Sequence, residues 1–255
     1  MDVRSTRIFA RPLAGGRQAL MYDMSVELST DVAMVLPLPV PPRTPDGEVH
    51  FVDLSEATDI FDSLNGCFVG PQPRSKSIAP SAAPLPVVQV GDFVASFVPS
   101  MDDFGRLDPQ FRLSRQILGA LDVDGWGFAV FQLKAPPPPP ARSFWAGLTS
   151  PKARPASIRP HPMAFTFPRV DPTRLFFPTV HVHDGRVAEY AAFDHMLYAQ
   201  GATCQAPAPM LWTRGQTDVT FVPEQALEIV AEGAPIWRRE IKGRHPNRDV
   251  WINGD

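Results

Sequence analysis

The proline content constrains the fold of this chain more than any other feature of its sequence. Thirty of its 255 residues are proline, which is more than twice the usual share of about 5%. Proline lacks a backbone N–H and has a fixed φ, so it is poorly tolerated inside helices and central strands. We therefore expect few long helices and many turns, edge strands and polyproline segments.

The rest of the composition excludes several classes of protein. The chain is 44% hydrophobic with a formal net charge of −3, which disfavours wholesale disorder and a basic nucleic-acid binder. No apolar run approaches the ~20 residues of a membrane span. The two cysteines, Cys67 and Cys204, are too few for a disulfide scaffold or a four-cysteine zinc module. Residues 1–17 hold four arginines and no apolar core of a signal peptide, so we expect a cytoplasmic protein with reduced thiols.

Alternation of apolar and polar residues predicts β-strands. Between residues 20 and 28, Leu20, Tyr22 and Met24 fall on one face, whereas Met21 and Asp23 fall on the other. The apolar run 32–36 follows a polar turn, so it is predicted to pair with 20–28 as an antiparallel hairpin. Further strands are expected at 49–54, 87–99, 127–133, 163–167, 175–183, 186–193 and 219–222, and helices at 55–66, 108–121 and 223–232.

Two proline-rich segments are predicted to be loops, at 71–86 and 134–162. The second contains five consecutive prolines and five basic residues but no acidic residue. We predict one α+β domain over 1–255, β-rich and mainly antiparallel, with two or three short helices and long proline-rich loops. Segment 134–162 is then a loop or insertion within this domain.

The most suggestive candidate site lies at residues 179–184. His181 and His183 are two residues apart on a predicted strand, so they share a face and could supply two nitrogen ligands to a divalent metal. His195 could join them if a bulge precedes it. The sequence also allows a polar outer hairpin face without a ligand.

The Asp-Gly pair at 184–185 is a strong hairpin signal. It pairs His183 with Arg186, His181 with Ala188 and Thr179 with Tyr190, so that the histidine face would also carry Arg186 and Tyr190. These two residues are candidates for binding an anion or substrate. The valines at 180, 182 and 187 are predicted to face the core.

The sequence contains no further strong catalytic signal. Phosphate-binding and nucleophile-elbow motifs are absent. Cys67 follows a predicted helix, where a buried apolar role is the better interpretation than a nucleophile. Whether the protein is an enzyme stays open, because no base or nucleophile is identified independently of the metal.

Two hypotheses for function follow. The first is a protein that binds a metal or small ligand at the His181/His183 hairpin face, with metal-dependent hydrolysis as its catalytic form. The second is a non-catalytic interaction module, in which proline-rich edges and loops bind a protein partner. A third ligand that converges on the two histidines would favour the first.

Several segments resemble a group of uncharacterised bacterial proteins with no assigned activity. The resemblance is carried by stretches within residues 20–200: YDMSV, AMVLPLP, FVDLS, GFAVFQL, HPMAF, LFFPTVHVHDG and FDHMLY. It implies a single domain with the proline run as an insertion, and it implies no mechanism.

Overall fold

A computed structural model of the protein describes residues 2–28, 30–69, 88–90, 93–107, 119, 123, 125–133, 157–183, 186–201 and 212–254. The α-helix α1 spans Ile60–Gly66, and short 3-10 helices span Ala14–Gly16, Asp46–Glu48, Met101–Arg106 and Glu224–Ala226. The strands are β1 (Asp2–Leu13), β2 (Arg17–Glu27), β3 (Val32–Leu38), β4 (His50–Val52), β5 (Val88–Val90), β6 (Phe93–Val98), β7 (Gly127–Leu133), β8 (Ser157–Ile158), β9 (Met163–Pro168), β10 (Arg174–Phe177), β11 (Val182–His183), β12 (Arg186–Val187), β13 (Tyr190–Ala199), β14 (Thr213–Arg214), β15 (Trp237–Pro246) and β16 (Val250–Asn253).

These strands form two main sheets and two small ones. The larger sheet has the order β14-β15-β13-β1-β2-β9-β4, with β8 also paired to β2, and the second has the order β3-β7-β6-β5. Strands β10 and β16 form a separate pair, as do β11 and β12. Within the described residues, β1 and β13 run parallel and the other pairs are antiparallel. The predicted β-rich fold is confirmed.

The central strands of the large sheet bury side chains on both faces. One face, here called the inner face, packs Leu20 and Phe165 against Phe131 of the second sheet. The opposite face, here called the helix face, packs Phe9 and Met21 against α1 and the segment 219–236. The chain therefore forms layers, with the large sheet covered on both sides.

The predicted hairpin of 20–28 with 32–36 is wrong. β2 pairs with β1 and β9, whereas β3 lies in the second sheet beside β7. The apolar residues of β2 and β3, among them Leu20 and Leu36, belong to one core cluster between the two sheets. Their alternation identified the buried faces correctly but did not say whether the faces lie side by side or opposite each other.

The predicted helices are shorter in the structure. The segment 55–66 is helical only over Ile60–Gly66, and 223–232 holds one 3-10 turn. Apart from residue 119, the predicted helix 108–121 lies outside the described residues, as do 71–86 and 134–156. The proline-rich loops and the single domain thus stay predictions. In the described part of the chain, no helix is long and apolar enough to cross a bilayer.

Buried side-chain amides attach peripheral segments to the sheets. The amide of Gln18 accepts a hydrogen bond from the Phe176 N–H (3.0 Å) and donates one to its carbonyl (2.7 Å). Gln200 binds the N–H and carbonyl of Ala231 in the same way, at 2.8 and 2.9 Å. Both glutamine side chains are fully buried, and each satisfies the backbone N–H and carbonyl of one residue.

Replacement of Gln18 by Leu should destabilise the protein by about 2–5 kcal/mol, because two buried backbone groups of Phe176 lose their partners. Chemical denaturation measures the change. Gln216→Leu is the control, since Gln216 is exposed, and its effect should stay within about 0.5 kcal/mol. Equal losses in the two variants would contradict the role given to the buried amide.

Candidate functional site

The helix face of the large sheet changes from apolar to polar part-way along its strands. On β2 the change falls between Met21 and Asp23, and on β1 between Phe9 and Arg7, which lies opposite Asp23. Helix α1 covers the apolar part of this face. The boundary lies at Arg7, whose guanidinium is 5.0 Å from the Phe61 ring of α1. The polar part beyond is left uncovered by α1.

A cleft of about 370 Å³ lies at this boundary, within the size range of small-ligand sites. It is lined by Ser5, Thr6, Arg7, Asp62, Asn65, Arg159, Asp194, His195, Met196, Tyr198 and Glu240. These residues come from α1, from strands β1, β13 and β15, and from the segment after β8.

A buried carboxylate organises the base of the cleft. Asp23 is 1% exposed, and its Oδ2 accepts hydrogen bonds from Nε of Arg7 (2.7 Å) and Nη1 of Arg159 (2.8 Å). Arg7 also binds Asp62 of α1, and Arg159 binds the Ser25 hydroxyl (2.9 Å). Every guanidinium nitrogen of Arg7 is thus bonded to a carboxylate, whereas Oδ1 of Asp23 is buried without a partner among the described residues.

A β-bulge shapes the wall of the cleft. The register of β1 against β2 shifts between Arg4 and Arg7, and Ser5 has a φ of 51°. A non-glycine residue rarely adopts this conformation, which costs of order 1 kcal/mol or more and persists only where the surroundings impose it. Here the turned backbone directs the Ser5 N–H to Oδ2 of Asp194 at 3.1 Å.

The side chains of Tyr198 and Asn65 close the end of the cleft nearest α1. Asn65 Oδ1 accepts hydrogen bonds from Nη1 of Arg238 (2.7 Å) and from the Tyr198 hydroxyl (3.4 Å). Burial raises the pKa of Tyr198 to about 12, so this hydroxyl keeps its proton. Arg238 also lies 4.4 Å from the Phe68 ring.

His195 forms a pair with His181 beside the cleft. Their Nε2 atoms are 3.1 Å apart, and the Phe193 ring packs against both imidazoles at 4.7 and 5.2 Å. Burial, followed by the proximity of His181, lowers the pKa of His195 to about 3. His195 is therefore neutral at neutral pH.

The surroundings of His195 indicate which nitrogen carries its proton. Its Nδ1 is buried without a hydrogen-bond partner in the described part of the chain. A buried N–H without an acceptor is rarer than a buried acceptor without a donor. We therefore assign the proton to Nε2, which donates to Nε2 of His181, and Nδ1 is left as an unsatisfied acceptor.

The segment that carries His181 is fixed by side chains from the loop between β15 and β16. Asn247 binds both the N–H and the carbonyl of His181, each at 2.8 Å. Oδ1 of Asp249 accepts hydrogen bonds from the N–H groups of Thr179 (2.8 Å) and Val180 (3.0 Å). Burial raises the pKa of Asp249 to about 6 in spite of these bonds.

The structure places the site residues predicted from sequence in different environments. Strands β11 and β12 pair His183 with Arg186, which is the register expected from the Asp-Gly turn, but the side chains of both residues lie outside the described part. Tyr190 does not pair with Thr179, because β13 continues along β15 and sets Tyr190 opposite Pro246. His181 and His195 do come together.

Burial does not separate the predicted faces of the hairpin at residues 180–182. Val180, His181 and Val182 are all partly buried, and the His181 ring contacts the buried side chains of Phe193 and His195. The short hairpin does not extend to residue 181, so the alternation within it does not fix the direction of that side chain.

For the metal hypothesis, the structure brings together two histidines, His181 and His195, but places no third ligand beside them among the described residues. Among the described residues, no group of three His, Cys, Asp or Glu side chains could hold a metal ion. A metal-bound histidine normally donates its second N–H to an acceptor, and Nδ1 of His195 has none there. The contact of His181 with His195 is thus explained as a hydrogen bond. A metal site that includes His183 stays a prediction.

Sequence reasoning missed the cleft, although one signal for it was present. The alternation over 20–28 set Asp23 on the same face as the apolar Met21, and a carboxylate on a face that is buried elsewhere needs a compensating cation. Arg7 and Arg159 supply it. Both arginines are distant from Asp23 in sequence, so the local pattern around residue 23 could not identify them.

Comparisons with known proteins add a distant likeness in fold. No family model and no curated protein matches the chain. Among solved structures, baculovirus P35 has 12% identity and a TM-score of 0.44, with 99% of this chain and 97% of that one covered. A mutated baculovirus P35 after caspase cleavage has 11% identity and a TM-score of 0.46, with 98% and 100% covered. P35 in the caspase-8/P35 complex has 10% identity and a TM-score of 0.43, with 98% and 96% covered. At these values the likeness supports no conclusion about what this chain binds, and the resemblance to bacterial proteins stays a prediction.

Replacement of Asp249 by Asn should stabilise the protein at pH 7, by up to about 3 kcal/mol, since a raised pKa of about two units marks the cost of ionising a buried carboxyl. The folded state binds the extra proton between the ordinary pKa of an aspartate and about 6. The contribution of Asp249 to stability therefore falls as pH rises through this window. The gain of the variant should vanish near pH 3.5, where the carboxyl is protonated in both states.

Denaturation of the wild type and the Asp249→Asn variant at matched pH values measures this effect, and the His195 contribution cancels in the comparison. Asp171→Asn is a control of opposite sign, because hydrogen bonds from Thr173 lower the pKa of this exposed carboxyl. A gain for Asp249→Asn that is the same at pH 3.5 and pH 7 would refute the assignment.

Proposed function

We propose that the protein binds a small ligand that carries an ammonium or guanidinium group, and that this group occupies the cleft. The proposal retains the small-ligand hypothesis, but it places the ligand in the cleft on the helix face of the large sheet and not on the hairpin face. The observation that supports it most is the imbalance between donors and acceptors in the cleft.

The donors of the cleft are largely engaged. Arg7 is bound to Asp23 and Asp62, and Arg159 is bound to Asp23 and Ser25. An anionic ligand would have to displace one of these contacts and would meet the carboxylates beside them. Its binding would therefore cost part of the existing network.

Acceptors remain available. Glu240 is exposed and has no hydrogen-bond partner in the described part of the chain, and Asp194 is exposed and accepts from the Ser5 N–H. Oδ1 of Asp23 adds negative charge from beneath the two arginines, where it is buried. A ligand rich in N–H donors matches the two exposed carboxylates, because hydrogen bonds to a charged acceptor are stronger than those to a neutral one.

The formal charges agree with a cation. Two arginines and three carboxylates line the cleft. With Asp23 beneath them and Arg238 at the end nearest α1, the formal charge is −1. His195 adds no charge at neutral pH. Opposite charges near a protein surface attract by several kcal/mol at contact before the cost of dehydration.

No contact among the described residues favours the alternative function, which is an interaction module built on proline-rich segments. Residues 71–86 and 134–156 lie outside the described residues, and Ile158 of β8 pairs with Val26 of β2 at the end of the longer segment. A protein partner for these segments stays a prediction, as does cytoplasmic location.

Agmatine is a suitable probe, because it carries a guanidinium and an ammonium. Calorimetric titration should show one site, and Glu240→Gln should weaken binding about tenfold through loss of a charged acceptor. Glu240 is exposed, so the variant should fold normally. Glu56→Gln is the matched control, because Glu56 is exposed outside the cleft, and it should bind as the wild type does.

Inorganic phosphate and succinate test the opposite charge. Neither should bind at concentrations at which agmatine saturates the site. Tighter binding of phosphate than of agmatine would refute the proposal, as would equal affinity of agmatine for the wild type and Glu240→Gln, or no agmatine binding at millimolar concentration.

A further inference from the structure

The polar surface of the helix face continues beyond the cleft toward Tyr190. On β15, Glu240 is followed at spacings of two residues by Lys242 and Arg244, which lie opposite Asp194 and Ala192 of β13. All three β15 residues are exposed. We call this row of Glu240, Lys242 and Arg244 the charged stripe.

Ring contacts show that the members of the stripe share the face of the cleft. Arg244 lies 5.4 Å from the Tyr190 ring, which belongs to the same alternation on β13 as Asp194. His245, one residue further, instead packs toward Phe193 on the inner face, at 6.1 Å. The alternation of β15 therefore passes through Gly243 unchanged, although its φ is 89°.

The sign of the charge changes along the stripe. At the cleft end, Glu240, Asp194 and Asp62 are acidic. At the other end, Lys242 and Arg244 are basic, and the half-exposed Tyr190 ring lies beside them. Glu240 and Arg244 are four residues apart on one strand, which corresponds to about 14 Å.

From this pattern we propose that the natural ligand is an extended peptide with a basic residue at the cleft and an acidic residue about four positions away, above Lys242 and Arg244. This inference rests on the proposed function, since the basic residue would be the cation of the cleft. It adds the class of the ligand and its polarity along the strand.

Charge complementarity selects this occupant over uniformly charged ones. A nucleic acid or another polyanion would meet Glu240 and Asp194 at one end of the surface. A polycation would meet Lys242 and Arg244 at the other. A chain with opposite charges at i and i+4 places both on one face when extended, because successive side chains alternate.

Two blocked pentapeptides of equal composition test the spacing. In acetyl-Arg-Ala-Ser-Ala-Asp-amide the charges are four residues apart, and in acetyl-Arg-Asp-Ala-Ser-Ala-amide they are adjacent. We expect the first to bind about fivefold more tightly, which is the scale of one or two exposed ion pairs. Calorimetric titration measures both affinities, with agmatine measured alongside.

Variants of the charged stripe test whether its basic residues cause the preference for the first peptide. Lys242→Gln and Arg244→Gln should each reduce the preference for the first peptide and leave agmatine binding nearly unchanged. Arg43→Gln removes an exposed cation on another loop and should keep the preference. Single-stranded oligothymidylate should bind less tightly than the first peptide.

The outcomes separate this inference from the proposed function. Equal affinities for the two peptides together with normal agmatine binding would overturn the peptide inference alone. Failure of both the peptides and agmatine would overturn the proposed function as well. Oligothymidylate binding that is tighter than peptide binding and depends on Lys242 and Arg244 would replace the peptide by a polyanion.

Discussion

Burial of both faces of the central strands is the constraint on which the rest of the structure depends. Strands β1, β2, β9 and β13 carry apolar side chains on the inner face and on the helix face. The second sheet covers the inner face. Helix α1, together with the segment 219–236, covers the helix face. Segments that cannot join either sheet must still satisfy their backbone groups, and the amides of Gln18, Gln200 and Asn247 do this.

The cleft follows from the same constraint. The helix face is apolar only where α1 and the segment 219–236 cover it, and beyond Met21 the strands present charged side chains instead. Because the strands run on past the covering layer, the polar part borders the apolar core directly. Asp23 lies at this border, where it is buried enough to require cations and near enough to solvent for those cations to line a cavity.

Much of the fold could be predicted from periodicity, and most of the site could not. The alternation over 20–28 identified two faces of β2, and the Asp-Gly turn gave the register of His183 with Arg186. The partners of β2 could not be predicted, because alternation is a local property and sheet order depends on contacts between distant segments. The pairing of His181 with His195 needed the loop at 247–249 that fixes residue 181, and the cluster around Asp23 needed a bulge at Ser5 that has no glycine to mark it.

The parallel contact between β1 and β13 has a consequence for how the chain reaches this structure. Thr6 lies beside His195 and Ala10 beside Ala199, so the pairing joins residues 189 positions apart. During synthesis, β1 and β2 can form their hairpin early, but the other edge of β1 stays open until β13, which ends at residue 199, has emerged. Folding dominated by such distant contacts is slow, and an open apolar edge is a site for association with other chains. The nascent protein therefore has a long interval in which a chaperone would be of use, and the native sheet closes that edge only when β13 arrives.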